Sequence, residues 1–173
     1  MLQDTMKTIL ANQFALYIKA QGYHWNVKGM FFPQLHDFFG KFYEDVQGSI
    51  DATAEEIRTL NIDAPAGLTV FSALRTISDG TATEASQMLM DLYESNAELL
   101  NQLTSAFEQA ERAKKYGLAD FLSSRIDAHE KHAWMLRSIV AQQPNVTKEE
   151  VEQTMTNINE RYDFANWAGR RNK

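Results

Sequence analysis

Two imidazoles and two carboxylates lie between positions 24 and 55: His24, His36, Asp51 and Glu55. These side chains bind divalent transition metals. Their spacing is the informative part. His36 and Asp51 are 15 residues apart in one helical pattern, which is roughly 22 Å along a helix axis. Two ligands of one ion need their Cα atoms within about 10 Å, because the metal–ligand bonds are only about 2 Å long. One copy of the helix therefore cannot bring both groups to one ion, but a second, antiparallel copy can. Such pairing aligns positions whose numbers have a constant sum. His36 beside Asp51 gives 87 and His36 beside Glu55 gives 91. A single two-fold axis near residue 44 or 45 serves both, and it would create two equivalent sites. Taken singly, each of these residues also suits an ordinary solvated face or a satisfied histidine. The common axis is what joins them.

The elements that must position these groups follow from apolar periodicity and breakers. Leu2, Met6, Ile9, Tyr17 and Ala20 form the stripe of a first helix over 2–24, with His24 on that stripe. Gly29 marks a short turn, and Pro33 opens a second helix that reaches Leu60. Its core stripe is Leu35, Phe39, Phe42, Val46, Ile50, Ile57 and Leu60. On a helical wheel, His36, Gln47, Gly40, Asp51, Glu44 and Glu55 span an arc of about 100°. Asp51 and Glu55 fall on the side away from the core, facing water or another subunit.

A connection over 61–81 carries Pro65, Gly67, Gly80 and a short helix near 70–77. Thr81 and Glu84 form a capping box that opens a third helix to Lys115. Tyr116-Gly117 breaks the pattern, and a fourth helix spans 118–142 until Pro144 stops it. Thr147 and Glu150 cap a last helix to Tyr162. The fold class is all-α: a four-helix bundle of the ferritin-like kind, with a short helix in its long second-to-third connection and an extra C-terminal helix. Residues 1–142 form the bundle. Residues 143–173 form a helical extension with a short basic tail and the aromatics Tyr162, Phe164 and Trp167.

Composition narrows the function classes. The chain has 173 residues, is 44% hydrophobic and has no cysteine, which removes disulfides, thiolate metal sites and thiol catalysis. No export pattern or membrane-spanning apolar run occurs, so a cytoplasmic location is expected. The net charge of −6 argues against broad contact with nucleic-acid phosphates. A di-iron site inside one bundle would need Glu-x-x-His on two helices. Gln21, Pro33, Ile126 and His129 occupy the positions three before the histidines, so that arrangement is absent. His129 lies mid-stripe among Leu118, Leu122 and Leu136, and reads as a core histidine rather than a ligand paired with His132. Trp25 reads either as a packed aromatic or as a redox-active neighbour of the metal.

The motifs H-W-N-V-K-G at 24–29, F-x-x-L-H at 32–36, D-x-x-x-E at 51–55 and H-E-K-H-A-W-M-L-R at 129–137 together resemble the Dps family, the DNA-binding proteins from starved cells. The resemblance implies a hollow twelve-subunit shell. It also implies a ferroxidase centre shared across a two-fold interface, with His24, His36, Asp51 and Glu55 at the ligand positions. On this reading ferrous iron is oxidised by hydrogen peroxide or dioxygen and stored as ferric mineral, a protection against oxidative stress. One position departs: the family's aspartate four residues after the second histidine is Gly40 here. Water, or Glu44 one turn along, would have to replace it, and one or two irons per site remain open. Asp120 matches an acid of the family's three-fold pores, although Lys114 and Lys115 stand where more acid is expected. DNA binding transfers poorly: the N-terminus offers only Lys7, and the basic cluster Arg170, Arg171 and Lys173 lies at the other end. The alternative is a non-catalytic shell, a scaffold or DNA-compacting particle whose metal site has degenerated at Gly40.

Overall fold

The structure, a computed structural model, describes residues 1–141 and 148–162. Among these it holds helices and no strand: α1 (Leu2–Asn26), α2 (Phe32–Thr59), α3 (Leu68–Leu74), α4 (Ala85–Arg112), α5 (Tyr116–Val140) and α6 (Lys148–Tyr162). The hairpins α1–α2 and α4–α5 pack together through α1 and α4, which fixes the four-helix bundle. The fully buried Phe39, Phe42, Met6, Ile9, Leu16, Leu92 and Leu99 lie in its centre. Burial of these side chains from four amphipathic helices is what holds the bundle together, at about 1.5–3 kcal/mol for each large apolar side chain.

The second stripe is found as read, apart from Ile50 and Leu60, which are only partly buried. Gly29, at φ 104°, makes the α1–α2 turn. Both ends of the third helix, the start of the fourth and the short connection helix differ from the sequence reading. The Thr81 and Glu84 capping box does not form. Glu84 itself takes the N-cap position without a side-chain bond, and α4 starts at Ala85. Residues 76–84 are instead tied to α1, where Asn12 Oδ1 accepts from the Thr76 N–H at 2.8 Å and the Ala82 N–H donates to the Tyr23 hydroxyl at 3.4 Å. The break between the third and fourth helices falls at Lys114 (φ 56°) rather than at Gly117, which sits inside the first turn of α5. The Lys115 N–H closes the end of α4 on the Ala110 carbonyl. The short connection helix is Leu68–Leu74, opened by Gly67 at φ 102°, and Ile77 is buried beyond its end.

The last helix rests on α4: Ile158 is buried against the core, and Arg161 pairs with Glu94 at 2.7 Å. Thr147 of the second capping box, Pro144, Phe164, Trp167 and the basic cluster at 170–173 lie outside the described residues.

Candidate metal centre

His24 closes α1 and His36 sits in the first turns of α2. The turn at 27–31 folds the two helices back so that the imidazoles stack, with ring centroids 3.7 Å apart and planes 21° from parallel. Their hydrogen bonds are reciprocal. His24 Nδ1 lies 2.7 Å from the His36 carbonyl, and His36 Nδ1 lies 2.8 Å from the His24 carbonyl. A carbonyl oxygen can only accept, so each Nδ1 carries the proton. In the neutral rings both Nε2 atoms are then left with free lone pairs. Among the described residues neither Nε2 has a hydrogen-bond partner, and neither is sealed from solvent. Backbone carbonyls that fix the tautomer and orientation of two imidazoles are the outer support that metal-binding histidines use. Tyr43 adds an edge contact to His24 at 5.3 Å, and Phe32 flanks His36 at 5.1 Å.

Gly40 lies under this pair and is buried. A Cβ there would stand 3.3 Å from His24 Cε1 and Nδ1. A side chain at position 40 therefore starts in tight contact with the His24 ring, which would have to give by a few tenths of an ångström. Trp25 projects beside the pair and is 68% exposed.

Asp51 and Glu55 are exposed on α2, further along the helix. Neither has a hydrogen bond or ion pair among the described residues. Within one chain, no three His, Asp or Glu side chains gather closely enough to hold a metal among the described residues. The fold thus unites the two histidines and leaves the two acids apart from them. Glu44 is exposed between them, and Asp120 is exposed on the first turns of α5.

His129 is fully buried, as the apolar stripe predicts. Asn96 Nδ2 donates to the His129 carbonyl at 2.9 Å, so Asn96 Oδ1 accepts the proton of His129 Nδ1 at 2.7 Å. Burial holds His129 well below the ordinary imidazole range, and His132 and Arg125 push the same way.

Two polar clusters escape a reading by motif. In one, Asp45 accepts from Arg125 at 2.7 and 3.4 Å and lies 3.6 Å from His132 Nε2, while Phe42 packs 4.4 Å from the His132 ring. Burial pushes His132 down to about 4, with Arg125 adding to the fall and Asp45 opposing it. Burial alone would raise the Asp45 carboxyl, but hydrogen bonds and charge from Arg125, and then His132, hold it below its usual range. In the other, Lys19 donates to Asp91 at 2.6 Å and to Ser95 at 2.8 Å, and the Tyr23 hydroxyl donates to the same carboxylate. Burial first, then Asp91, raises the Tyr23 phenol. A signal for this cluster was present: Lys19 lies between Leu16 and Tyr23 on the buried side of α1, where an ammonium requires a partner.

Residues 3–146 match the Ferritin family, the ferritin-like domain. A low temperature-induced protein of Nostoc sp. is 33% identical over 138 residues, which is 78% of this chain and 77% of that protein. The DNA protection during starvation protein of Brevibacillus brevis is 31% identical over 132 residues, 76% of this chain and 89% of that protein. The Dps protein of Vibrio cholerae O1, described as a member of a broad superfamily of ferritin-like diiron-carboxylate proteins, superposes with a TM-score of 0.77. It is 28% identical and covers 80% of this chain and 88% of its own. The helical bundle and these matches define a ferritin-like protein. Within that class, the chain belongs to the Dps family. No helix among the described residues is long and apolar enough to cross a membrane.

Proposed function

We propose that this chain is a Dps-like ferroxidase that binds ferrous iron between subunits, oxidises it and stores the ferric product inside a hollow shell. His24 and His36 supply two neutral imidazoles from one subunit. Asp51 and Glu55 supply two carboxylates from its two-fold partner, and two-fold dimers assemble into a dodecamer. Iron is the substrate. Imidazole suits the ferrous ion, and hard carboxylate oxygens favour the ferric product. Hydrogen peroxide or dioxygen takes the electrons. The observation that carries this reading is the reciprocal bonding of His24 and His36, which prepares two Nε2 donors side by side. The unpaired acids on the same helix supply the donors that one chain lacks. Glu44, near the proposed axis, and Trp25 are auxiliary, Asp120 is a pore acid, and residues 143–173 are an extension of the bundle. The site lies on a cytoplasmic particle with little or no affinity for DNA.

The test is the double variant Asp51→Ala with Glu55→Ala. Anaerobic ferrous binding should be lost while the assembly stays intact in sedimentation; unaltered binding would remove both acids from the site. The second reading, a shell without catalysis, is favoured by Gly40, which supplies no carboxylate at a position where the family has one. It requires that wild-type protein given ferrous salt and peroxide show no growth of ferric absorbance.

A further inference from the structure

Tyr23 immediately precedes His24, and other elements hold it from several sides. Its ring is buried and packs against Phe39 of α2, with centroids 6.3 Å apart. Its hydroxyl donates to the Asp91 carboxylate of α4 and accepts from the Ala82 N–H of the long connection at 3.4 Å. Its carbonyl accepts from the Val27 N–H at 2.9 Å, the bond that closes α1. Asp91 is itself fixed by Lys19, whose ammonium also reaches Ser95. One acceptor would satisfy a buried hydroxyl. An acceptor on α4 and a donor on the connection fix its position and its direction as well.

The connection is shaped to this contact. A Cβ on Gly80 would stand 2.8 Å from the Tyr23 hydroxyl oxygen and 3.0 Å from Lys19 Cγ, closer than a side chain can sit. Glycine alone lets the backbone approach the phenol this closely.

The hold bears on the next residue. Successive side chains on a helix point about 100° apart, so the roll of α1 at Tyr23 sets the direction of His24. The last turn of a helix has few backbone bonds of its own to resist rotation. The same roll places the His24 carbonyl, which accepts from His36 Nδ1 at 2.8 Å. It also places the His24 ring, whose Nδ1 donates to the His36 carbonyl at 2.7 Å. These two bonds keep the protons on Nδ1 and the Nε2 lone pairs free.

The geometry points to Tyr23 as a positioning residue for the histidine pair: its hydroxyl, clamped between Asp91 and the connection at 80–82, fixes the roll of the end of α1 and so the aim and tautomer of His24 and His36. Its consequence for iron rests on the shared-site reading above; its consequence for the two rings does not. Through Tyr23, α4 and the connection act on the metal centre without contributing a ligand.

Tyr23→Phe keeps the ring and removes only the hydroxyl. Solid-state nitrogen NMR of the assembled protein, grown with isotope-labelled histidine, tells protonated from bare ring nitrogens, and single histidine variants assign the signals of His24 and His36. Wild type should carry the proton on Nδ1 in both rings, and Tyr23→Phe should show mixed tautomers. Anaerobic ferrous affinity should fall about tenfold, the lower end of losses seen when the outer support of metal ligands is removed. Lys19→Met is the control. It takes the cation from Asp91 but leaves the Tyr23 hydroxyl its acceptor, so it should lower stability in urea while tautomers and ferrous affinity stay as in wild type. Gly80→Ala, whose added Cβ presses on the hydroxyl, should mix the tautomers in the same way, and it carries the test if Tyr23→Phe does not fold. Unchanged tautomers in Tyr23→Phe would overturn the proposal, as would an equal change in Lys19→Met. Mixed tautomers with undiminished ferrous affinity would leave the positioning standing and remove the histidines from the iron site.

Discussion

At the scale of single residues, Gly40 and His24 have to be considered together. A glycine within a helix costs about 1 kcal/mol relative to alanine, so this position gives up local stability. The family pattern alone suggests that restoring an acid with Gly40→Asp should raise the initial rate of iron oxidation. The geometry argues otherwise. A Cβ at 40 meets the His24 ring at 3.3 Å, and that ring is held by its bond to the His36 carbonyl and by its stack on His36. Gly40→Asp is expected to disturb the pair and leave the initial rate no higher than wild type. Gly40→Ala should lower ferrous affinity to a similar degree through contact alone. A rate increase in Gly40→Asp, followed by ferric absorbance, would show that the His24 ring yields freely. The ligand types and their spacing were legible in the sequence. The tight contact between position 40 and His24 was not, because it depends on how the α1–α2 turn stacks two rings from different helices.

At the scale of elements, helix pairs are joined by buried polar links as well as by apolar stripes. The α1–α4 contact contains Lys19, whose side chain is 1% exposed, against Asp91, which is 27% exposed. The asymmetry sets the cost of breaking the pair. Asp91→Asn leaves a sealed ammonium without its counter-charge and should destabilise by about 3–5 kcal/mol. Lys19→Met leaves a carboxylate that still reaches water, so it should cost clearly less. Urea unfolding of both variants measures the difference, and equal losses would contradict it. The α2–α5 contact contains His132, held neutral by burial. Its folded pKa of about 4 lies below the ordinary 6.5, so between these values the unfolded chain binds the extra proton. Stability should therefore be full above about pH 6.5 and fall as pH drops towards 4, by on the order of 3 kcal/mol. Buried His129 shifts in the same direction. Asp45, whose carboxyl is depressed, loses its contribution only below its ordinary value of 3.8. Replacing His132 with Gln should flatten this slope in thermal melts across that pH range; an unchanged slope would assign it elsewhere.

The same elements show how far periodicity reaches. The apolar stripes defined the long helices and Pro33 opened the second, because these depend on neighbours three and four residues apart. The start of α4 was misplaced because Thr81 and Glu84 satisfy a local pattern, while residues 76–84 are drawn into contacts with Asn12 and Tyr23 from α1. Asp45 could not be linked to Arg125 and His132 from spacing, since its partners are 80 and 87 positions away on another helix.

At the scale of the whole molecule, the proposed metal site is divided between subunits. Each histidine pair is joined within its own chain, each acid pair is exposed and without a partner among the described residues, and the helix carrying His36, Asp51 and Glu55 is too long to bring them together alone. The direct measurement is complementation between two inactive chains, one carrying His24→Ala and His36→Ala, the other Asp51→Ala and Glu55→Ala. Anaerobic ferrous titration should find no binding at these sites in either assembly alone. Co-refolded mixtures should regain one intact site per mixed dimer, formed by the histidines of the second chain and the acids of the first. Mixed assemblies that bind no more iron than their parents would contradict the shared site.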